Sequence, residues 1–457
     1  MQNFTDRLRI AVGGSADTRL VFLGNFEVED EWAKGEQGLP RFGFASNTAV
    51  VNRMDEFTLL LAGPEDHVIL KENPDPGHLE HLEELEFDLP RILTVRDNDP
   101  GRTVTGDALV DRGSWAALSR LAEEGALLLP HGTSVVEEEL AVSAGIPLAA
   151  PKADLCKALN SKIYSRRAAD ELGLRQVRGF TAENVAELGE AVERGAEILA
   201  SGSPVVVKDA FGVSGKGIVV VREVEKLDRL RRMVERKAER SENPRVSILV
   251  EEWIEKRCDL NYQFTVGVDG SHRFDFVKEA LTESGVHKGH RSPAEIDDRH
   301  MESLLAAADA IGGRMAAEGF FGVVGVDAMV GGDGHLYPVI EINARSNMST
   351  YQVRAHETFM RPGQVSLARQ YPLRLAEPLA YDRLRGVLSD LMLAERGGSG
   401  LLVNNFATVN AASGLSEGDV FEGRLYGLLL AGDRRDLSEL DERIVDRLAT
   451  ISMGESR

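Results

Sequence analysis

The segment that most restricts the fold is Val205-Val206-Val207-Lys208, followed by a glycine-rich connection and Ile218-Val219-Val220-Val221. β-Branched runs of this kind crowd a helix and suit a pleated strand. Two of them joined through glycines predict an antiparallel hairpin. The connection, Asp209-Ala210-Phe211-Gly212-Val213-Ser214-Gly215-Lys216-Gly217, carries three glycines, a serine and a lysine. Glycines let backbone N–H groups approach an anion with no Cβ in the way, and lysine adds a point charge suited to phosphate. The spacing is not G-x-x-x-x-G-K-[ST], since no Ser or Thr follows Lys216. An ordinary hairpin with a glycine turn has the same pattern.

Composition limits what such a turn can serve. The 457 residues hold 53 Lys and Arg against 74 Asp and Glu, a net charge of −21. Wrapping nucleic acid needs a basic face, so that class is excluded, while local cationic pockets stay open. The two cysteines, Cys156 and Cys258, cannot build a disulfide framework or a thiolate-rich metal site. No stretch reaches the roughly 18–20 apolar residues of a spanning helix. Met1-Gln2-Asn3-Phe4-Thr5-Asp6-Arg7 lacks a basic flank before an apolar core. The expected setting is soluble and cytoplasmic, with no membrane partner.

Residues 1–150 alternate short apolar runs with polar helical stretches. Runs at 8–12, 57–61 and 126–129 end at Gly or Pro and read as buried strands. Stretches at 77–87 and 135–144 read as helices, and the alternation predicts a doubly wound α/β layer. Gly13-Gly14 lacks G-x-G-x-x-G spacing, which argues against a dinucleotide site. From Pro151 the texture changes. A basic helix is expected over 152–172, further helices over 182–199 and 223–240, and strands at 247–250, 262–268 and 272–277. A polar loop is expected over 281–293. Met301, Leu304, Leu305, Ala308, Ile311 and Met315 mark one helix face, and strands follow at 323–330 and 336–342. The tail after Pro372 mixes a helix with strand-like runs at 400–407 and 423–430 and ends in an acidic helix.

Three groups beyond the hairpin carry chemistry. Glu341 and Asn343 lie two apart on one strand, so both point to one sheet face, and Asp327 on the neighbouring strand can face them. Two carboxylates and an amide oxygen make a hard-oxygen set suited to Mg²⁺ carrying phosphates. Arg345 continues the alternation. Ile340 and Ile342 place the other face in a core, a pattern that an ordinary polar face shares. The second group, Ile248-Leu249-Val250-Glu251-Glu252-Trp253-Ile254, could form a hinge offering backbone groups and apolar surface to a flat base, with Asp259 near enough for ribose hydroxyls. The third, Ser284-Gly285-Val286-His287-Lys288-Gly289-His290-Arg291-Ser292, gathers positive charge. Arg291 suits bidentate pairing with a carboxylate, and His287 or His290 could take a proton; a solvated loop reads the same.

The order of these features, with Lys162 ahead of them, resembles the ATP-grasp superfamily over about 151–370. Glu341-Ile342-Asn343-Ala344-Arg345 is close to that family's E-x-N-x-R. The resemblance implies two α+β subdomains, 151–245 and 246–372, that clamp ATP between them. Lys162 and Lys208 look like the two phosphate lysines, with Gly212, Ser214, Gly215, Lys216 and Gly217 around the phosphates. Glu251, Glu252, Trp253 and Ile254 match the adenine hinge, and Asp259 stands where the family usually has a ribose-binding Glu. Asp327, Glu341 and Asn343 match the metal triad for Mg²⁺, with Mn²⁺ as a substitute. Many members carry Arg two residues before the first metal Asp; here that position is Gly325.

Residues 1–150, including Leu129-Pro130-His131-Gly132-Thr133, resemble the pre-ATP-grasp domain, and 373–457 would form a small C-terminal α+β domain. The stretches 19–29, 402–407 and 422–427 resemble ATP-grasp peptide ligases of the pheganomycin-biosynthesis type. This implies an ATP-dependent carboxylate–amine ligase that joins an amino acid to the N-terminus of a peptide through an acyl phosphate. Arg345, Arg291 and Lys208 would be catalytic, with Ser346 and Asn347 lining the acyl site. The partners would be an amino-acid carboxylate and a peptide amine; a homodimer is left open. The alternatives are ligation of two small amino acids and a kinase-like or purely nucleotide-binding protein.

Overall fold

The computed structural model describes residues 2–39, 45–212, 217–283, 286–415 and 420–452. Its first layer is a parallel sheet of β1 (Leu20–Leu23), β2 (His67–Leu70), β3 (Arg91–Thr94) and β4 (Leu127–Pro130), in the order β3-β2-β1-β4. The doubly wound expectation holds, but two of its strands were misplaced. The run 8–12 belongs to the helix Phe4–Gly13, started by the Asn3 side chain and ended at Gly14 with φ 79°. Phe4, Leu8 and Val12, one helical turn apart, enter the core. The run 57–61 lies in the 3₁₀ turn Met54–Leu60, every residue of which is buried. A segment buried on all sides shows no period by which strand and helix could be told apart.

The expected helix over 152–172 is two helices, Ala153–Leu159 and Lys162–Glu171. Asn160 Nδ2 donates to Cys156 O at 2.7 Å, and the Ser161 hydroxyl caps the second helix, so Lys162 opens it. A small antiparallel sheet follows: β5 (Gly179–Asn184), β6 (Val205–Asp209), β7 (Ile218–Val221) and β8 (Arg245–Glu252), in the order β5-β8-β6-β7. β6 and β7 form the expected hairpin, with Lys208 opposite Ile218. Helices Val185–Ala200 and Val224–Arg240 cover this sheet; the first starts later than expected because β5 takes the residues before it.

The large sheet holds β9 (Lys256–Val266), β10 (His272–Glu283), β11 (Val286–Ser292), β12 (Gly322–Gly331), β13 (Leu336–Asn343), β14 (Val365–Leu375), β15 (Gly400–Asn405) and β16 (Phe421–Ala431). Its order is β13-β12-β9-β10-β11-β14-β16-β15, with every neighbour antiparallel. Much of the polar loop expected over 281–293 is therefore strand, the end of β10 and all of β11. The proposed division after residue 372 falls inside β14, which pairs with β11 and β16, so the sheet runs on unbroken. Leu260, Tyr262, Phe264, Val324 and Val326 pack against helix Asp298–Ala317 on one face. The residues between them turn to the other face, which carries the site. Among the described residues, no helix is long and apolar enough to cross a membrane.

Candidate active site

Strand register assembles the site. Glu341 lies opposite Asp327, Asp327 opposite Asn261, and Asn261 opposite Lys278, a row across β13, β12, β9 and β10. Asn343 lies opposite Gly325, one step along the same face. Asn261 Nδ2 donates to Asp327 Oδ1 at 2.8 Å, and Asn343 Nδ2 reaches Oδ2 at 3.5 Å. Burial, and next the charge of Glu341, push the Asp327 carboxyl up to about 6. Two facing carboxylates with an amide oxygen suit a divalent cation, whose charge would offset that repulsion. Among the described residues no group of three His, Cys, Asp or Glu could hold a metal, so coordination would rest on Asp327, Glu341 and Asn343 together.

Of the two expected phosphate lysines, Lys162 reaches this face, while Lys208 pairs with a carboxylate of the small sheet. Lys162 Nζ lies 2.5 Å from Glu341 Oε1 and donates to Gly212 O at 2.7 Å, which ties a helix start, the hairpin turn and β13 together. Lys208 Nζ lies 2.7 Å from Glu251 Oε2, and Arg166 Nη1 lies 2.9 Å from Glu251 Oε1. Burial works to raise the Glu251 carboxyl, but Lys208 and Arg166 hold it below the usual range. Glu251 is thus the buried counter-ion of two cations, a correction to its expected place in the adenine hinge. Gly217 closes the turn with φ 77°, and a Cβ there would meet Asp209 Oδ2 at 2.6 Å. Ser214, Gly215 and Lys216 lie outside the described residues.

In the hinge, the N–H groups of Glu252 and Trp253 donate to Arg178 O and Pro204 O, each at 2.8 Å. Ile254 N–H has no partner among the described residues, which leaves it as the hinge donor for a base. Asp259 is on the site face, two residues before Asn261, where it accepts from Thr282 Oγ1 at 2.6 Å and pairs with Lys256.

Arg345 leads to the first layer of the protein. Its Nη2 donates to Asn343 Oδ1 at 3.0 Å and pairs with Glu29, and its Nη1 donates to Ser346 O at 2.8 Å. Glu29 comes from the short helix Val28–Trp32 just after β1. Ser346 N–H donates to His131 O, and His131 Nδ1 lies 2.8 Å from Tyr351 Oη. Asn25 pins the loops after β1 and β4 together, with Oδ1 accepting from His131 N–H and Nδ2 donating to Gly132 O. Burial, and next Arg345, hold His131 well below the usual histidine value.

Asn347 accounts for the glycine at 325. Its Oδ1 accepts the N–H groups of Ser349 and Thr350, which directs Nδ2 to within 1.7 Å of where a Gly325 Cβ would stand. No arginine fits there. Asn347 Nδ2 and Arg345 Nε are both buried without an acceptor. Two such donors beside a cation site suit an oxyanion.

Arg291 requires correction. It lies opposite Glu279, and the alternation that points Lys278 to the site points Glu279 and Arg291 to the reverse face. Its Nη2 and Nε lie 2.6 and 3.2 Å from the Glu279 oxygens. The groove beside it, about 640 Å³, faces the helix Arg434–Ser452. His290 is buried on the site side, near Gln352; the His287 side chain is outside the described set. Sequence reasoning missed Glu29, Tyr351 and Lys278, whose Nζ donates to Gln352 Oε1 at 2.8 Å. The signal for Glu29 was its place after β1, where β2 and β4 leave on opposite sides; open α/β sheets take ligands at such a point.

With this geometry in place, the likenesses to known proteins agree. Residues 54–146 match the pre-ATP-grasp domain model and residues 189–349 an ATP-grasp domain model. The chain is 25% identical over 333 residues to the [butirosin acyl-carrier protein]–L-glutamate ligase of Niallia circulans, 71% of each protein. A crystal structure of the ADP complex of N5-carboxyaminoimidazole ribonucleotide synthetase superposes with a TM-score of 0.54 at 14% identity, over 94% of this chain and 98% of that one. The biotin carboxylase domain dimer of Hydrogenobacter thermophilus 2-oxoglutarate carboxylase, solved with MgADP and bicarbonate, gives 0.50 at 15% identity, over 91% and 86%. At these identities the two solved structures establish the fold alone.

Proposed function

The chain belongs to the ATP-grasp superfamily, with a pre-ATP-grasp domain ahead of its ATP-grasp domain, and from that premise we propose that it is an ATP-dependent carboxylate–amine ligase. One observation carries the reading: a single sheet face gathers Asp327, Glu341 and Asn343 with Lys162 and Arg345. That set neutralises and positions phosphate oxygens and offers no protein nucleophile, which is what phosphoryl transfer to an external carboxylate requires.

In this reading Asp327, Glu341 and Asn343 would hold Mg²⁺, which would supply charge neutralisation on the phosphates. Lys162, Lys208 and the 212–217 turn bind the remaining oxygens, Ile254 N–H receives the base and Asp259 the ribose. The substrate carboxylate takes the γ-phosphoryl group and becomes an acyl phosphate. Arg345 and Asn347 donate to its oxygens and to the oxyanion that forms when the amine attacks. Lys162 and Arg345 must first release Glu341 and Asn343, so ATP binding exchanges an internal ion pair and a hydrogen bond for phosphate contacts.

The carboxylate is an amino acid and the amine a peptide N-terminus, within peptide natural-product biosynthesis; a relative named as an L-glutamate ligase of butirosin supports an amino-acid donor. The same name favours a second reading, in which the acceptor is a carrier protein. Wild-type enzyme with ATP, Mg²⁺, hydroxylamine and a panel of amino acids is expected to give a hydroxamate and ADP, and E341A neither. Mass analysis with peptide and carrier-protein acceptors then separates the two readings. Turnover by E341A equal to wild type would overturn the site.

A further inference from the structure

The pairing of Glu29 with Arg345 joins the N-terminal sheet to the reacting end of the site, 316 residues apart in sequence, and the ligase reading gives this carboxylate no task. Acyl transfer to an amine needs a proton acceptor, because an ammonium ion has no lone pair with which to attack. The described residues around Arg345 offer few. His131 has Nδ1 taken by Tyr351 and its ring stacked on Phe26 at 4.3 Å. Lys278 is held by Ser349 O and Gln352 Oε1. Asp327 and Glu341 belong to the cation set.

Glu29 differs from all of these. Arg345 fixes its Oε1, while its Oε2 has no hydrogen-bond partner among the described residues. The residue is 8% exposed, at the strand end where the sheet topology opens a ligand crevice. Burial raises its carboxyl; Arg345 and Lys162 act to lower it, and Glu341 acts to raise it further. Its counter-ion is the same guanidinium that would hold the acyl phosphate, so an amine attacking that group arrives beside Glu29.

Resting on the ligase reading, we infer that Glu29 is the general base for the amine. The ammonium gives one proton to Glu29 Oε2. The freed lone pair forms the C–N bond at the acyl carbon, the C–O bond to phosphate breaks, and the second nitrogen proton leaves with hydrogen phosphate. The first half-reaction, formation of the acyl phosphate, does not use Glu29.

E29Q tests this, because its amide oxygen can still accept from Arg345. Wild type and E29Q are compared with ATP, Mg²⁺ and a pool of the twenty common amino acids. The acceptor is either a mixed tripeptide pool or hydroxylamine, whose nitrogen is already unprotonated at neutral pH. E29Q is expected to lose amide formation by about 100-fold or more, to keep hydroxamate formation within a few-fold of wild type, and to regain amide formation as pH rises toward the amine's own pKa. E29D, which keeps a carboxylate, recovers part of the loss. Parallel loss of amide and hydroxamate in E29Q, or an E29D no better than E29Q, overturns the proposal and leaves Glu29 acting through Arg345. Absence of hydroxamate from wild type overturns the ligase reading and the proposal with it.

Discussion

Asp327 is half-buried between Asn261 and Asn343, with Glu341 opposite, and its carboxyl is pushed from the usual 3.8 up to about 6, by desolvation first and by Glu341 second. In metal-free protein the folded state keeps a proton that the unfolded chain releases at lower pH. Stability linked to Asp327 is therefore fully present below 3.8 and is lost as pH rises through about 6. D327N removes the charge at nearly the same shape. With chelator present, D327N is expected to match wild type in urea-unfolding free energy near the acid end and to exceed it increasingly toward neutral pH, by about 3 kcal/mol at most. A difference independent of pH contradicts this. Gly325 carries a second prediction at this scale. A methyl group there meets Asn347 Nδ2 at 1.7 Å, so G325A is expected to cost about 1–3 kcal/mol in urea unfolding. Adding N347A recovers most of that, and a G325A chain as stable as wild type contradicts the account.

The helix break before Lys162 is the element that sets the lysine's place. Apolar spacing through Leu155, Leu159 and Ile163 continues across it, so the sequence suggests one helix. The Asn160 amide and the Ser161 hydroxyl bond to nearby backbone instead and open a second helix. S161A is expected to lose about 1 kcal/mol of stability and to raise KM for ATP more than it lowers kcat; an unchanged KM contradicts the link between cap and lysine. Elements with one buried face were legible: β12 and β13 alternate, which is why Asp327, Glu341 and Asn343 could be placed on a common face from sequence. β11 and β14 were not. β11 is polar to both sides, with Arg291 meeting Glu279 on one face and His290 near Gln352 on the other, and in β14 Arg369 interrupts an otherwise apolar face to meet Asp441 while Ser366 meets His356 on the reverse. Glu29 was hidden for another reason: nothing local marks a carboxylate whose partner lies on another sheet.

Across the whole molecule the three sequence segments interlock. Leu60, Leu82 and Phe87 from the first share one core with Leu402, Leu428 and Leu430 from the tail. Glu56 Oε1 accepts the N–H groups of Phe406 and Ala407. Arg354 donates to Ala62 O and Asp88 O, which fixes the stretch after Asn347 against the first layer. The tail is thus part of the frame that holds the N-terminal sheet, and Glu29 with it, against the ATP-grasp sheet. Such a frame suits a reaction whose two steps draw on both: phosphoryl transfer over Asp327 and Glu341, then acyl transfer beside Arg345 and Glu29. The central claim is that a substrate carboxylate becomes an acyl phosphate on this face. It is tested most directly by supplying the carboxylate labelled with ¹⁸O at both oxygens and reading the phosphate released during amide formation. The account predicts one ¹⁸O in each phosphate and one retained in the amide; unlabelled phosphate would contradict it.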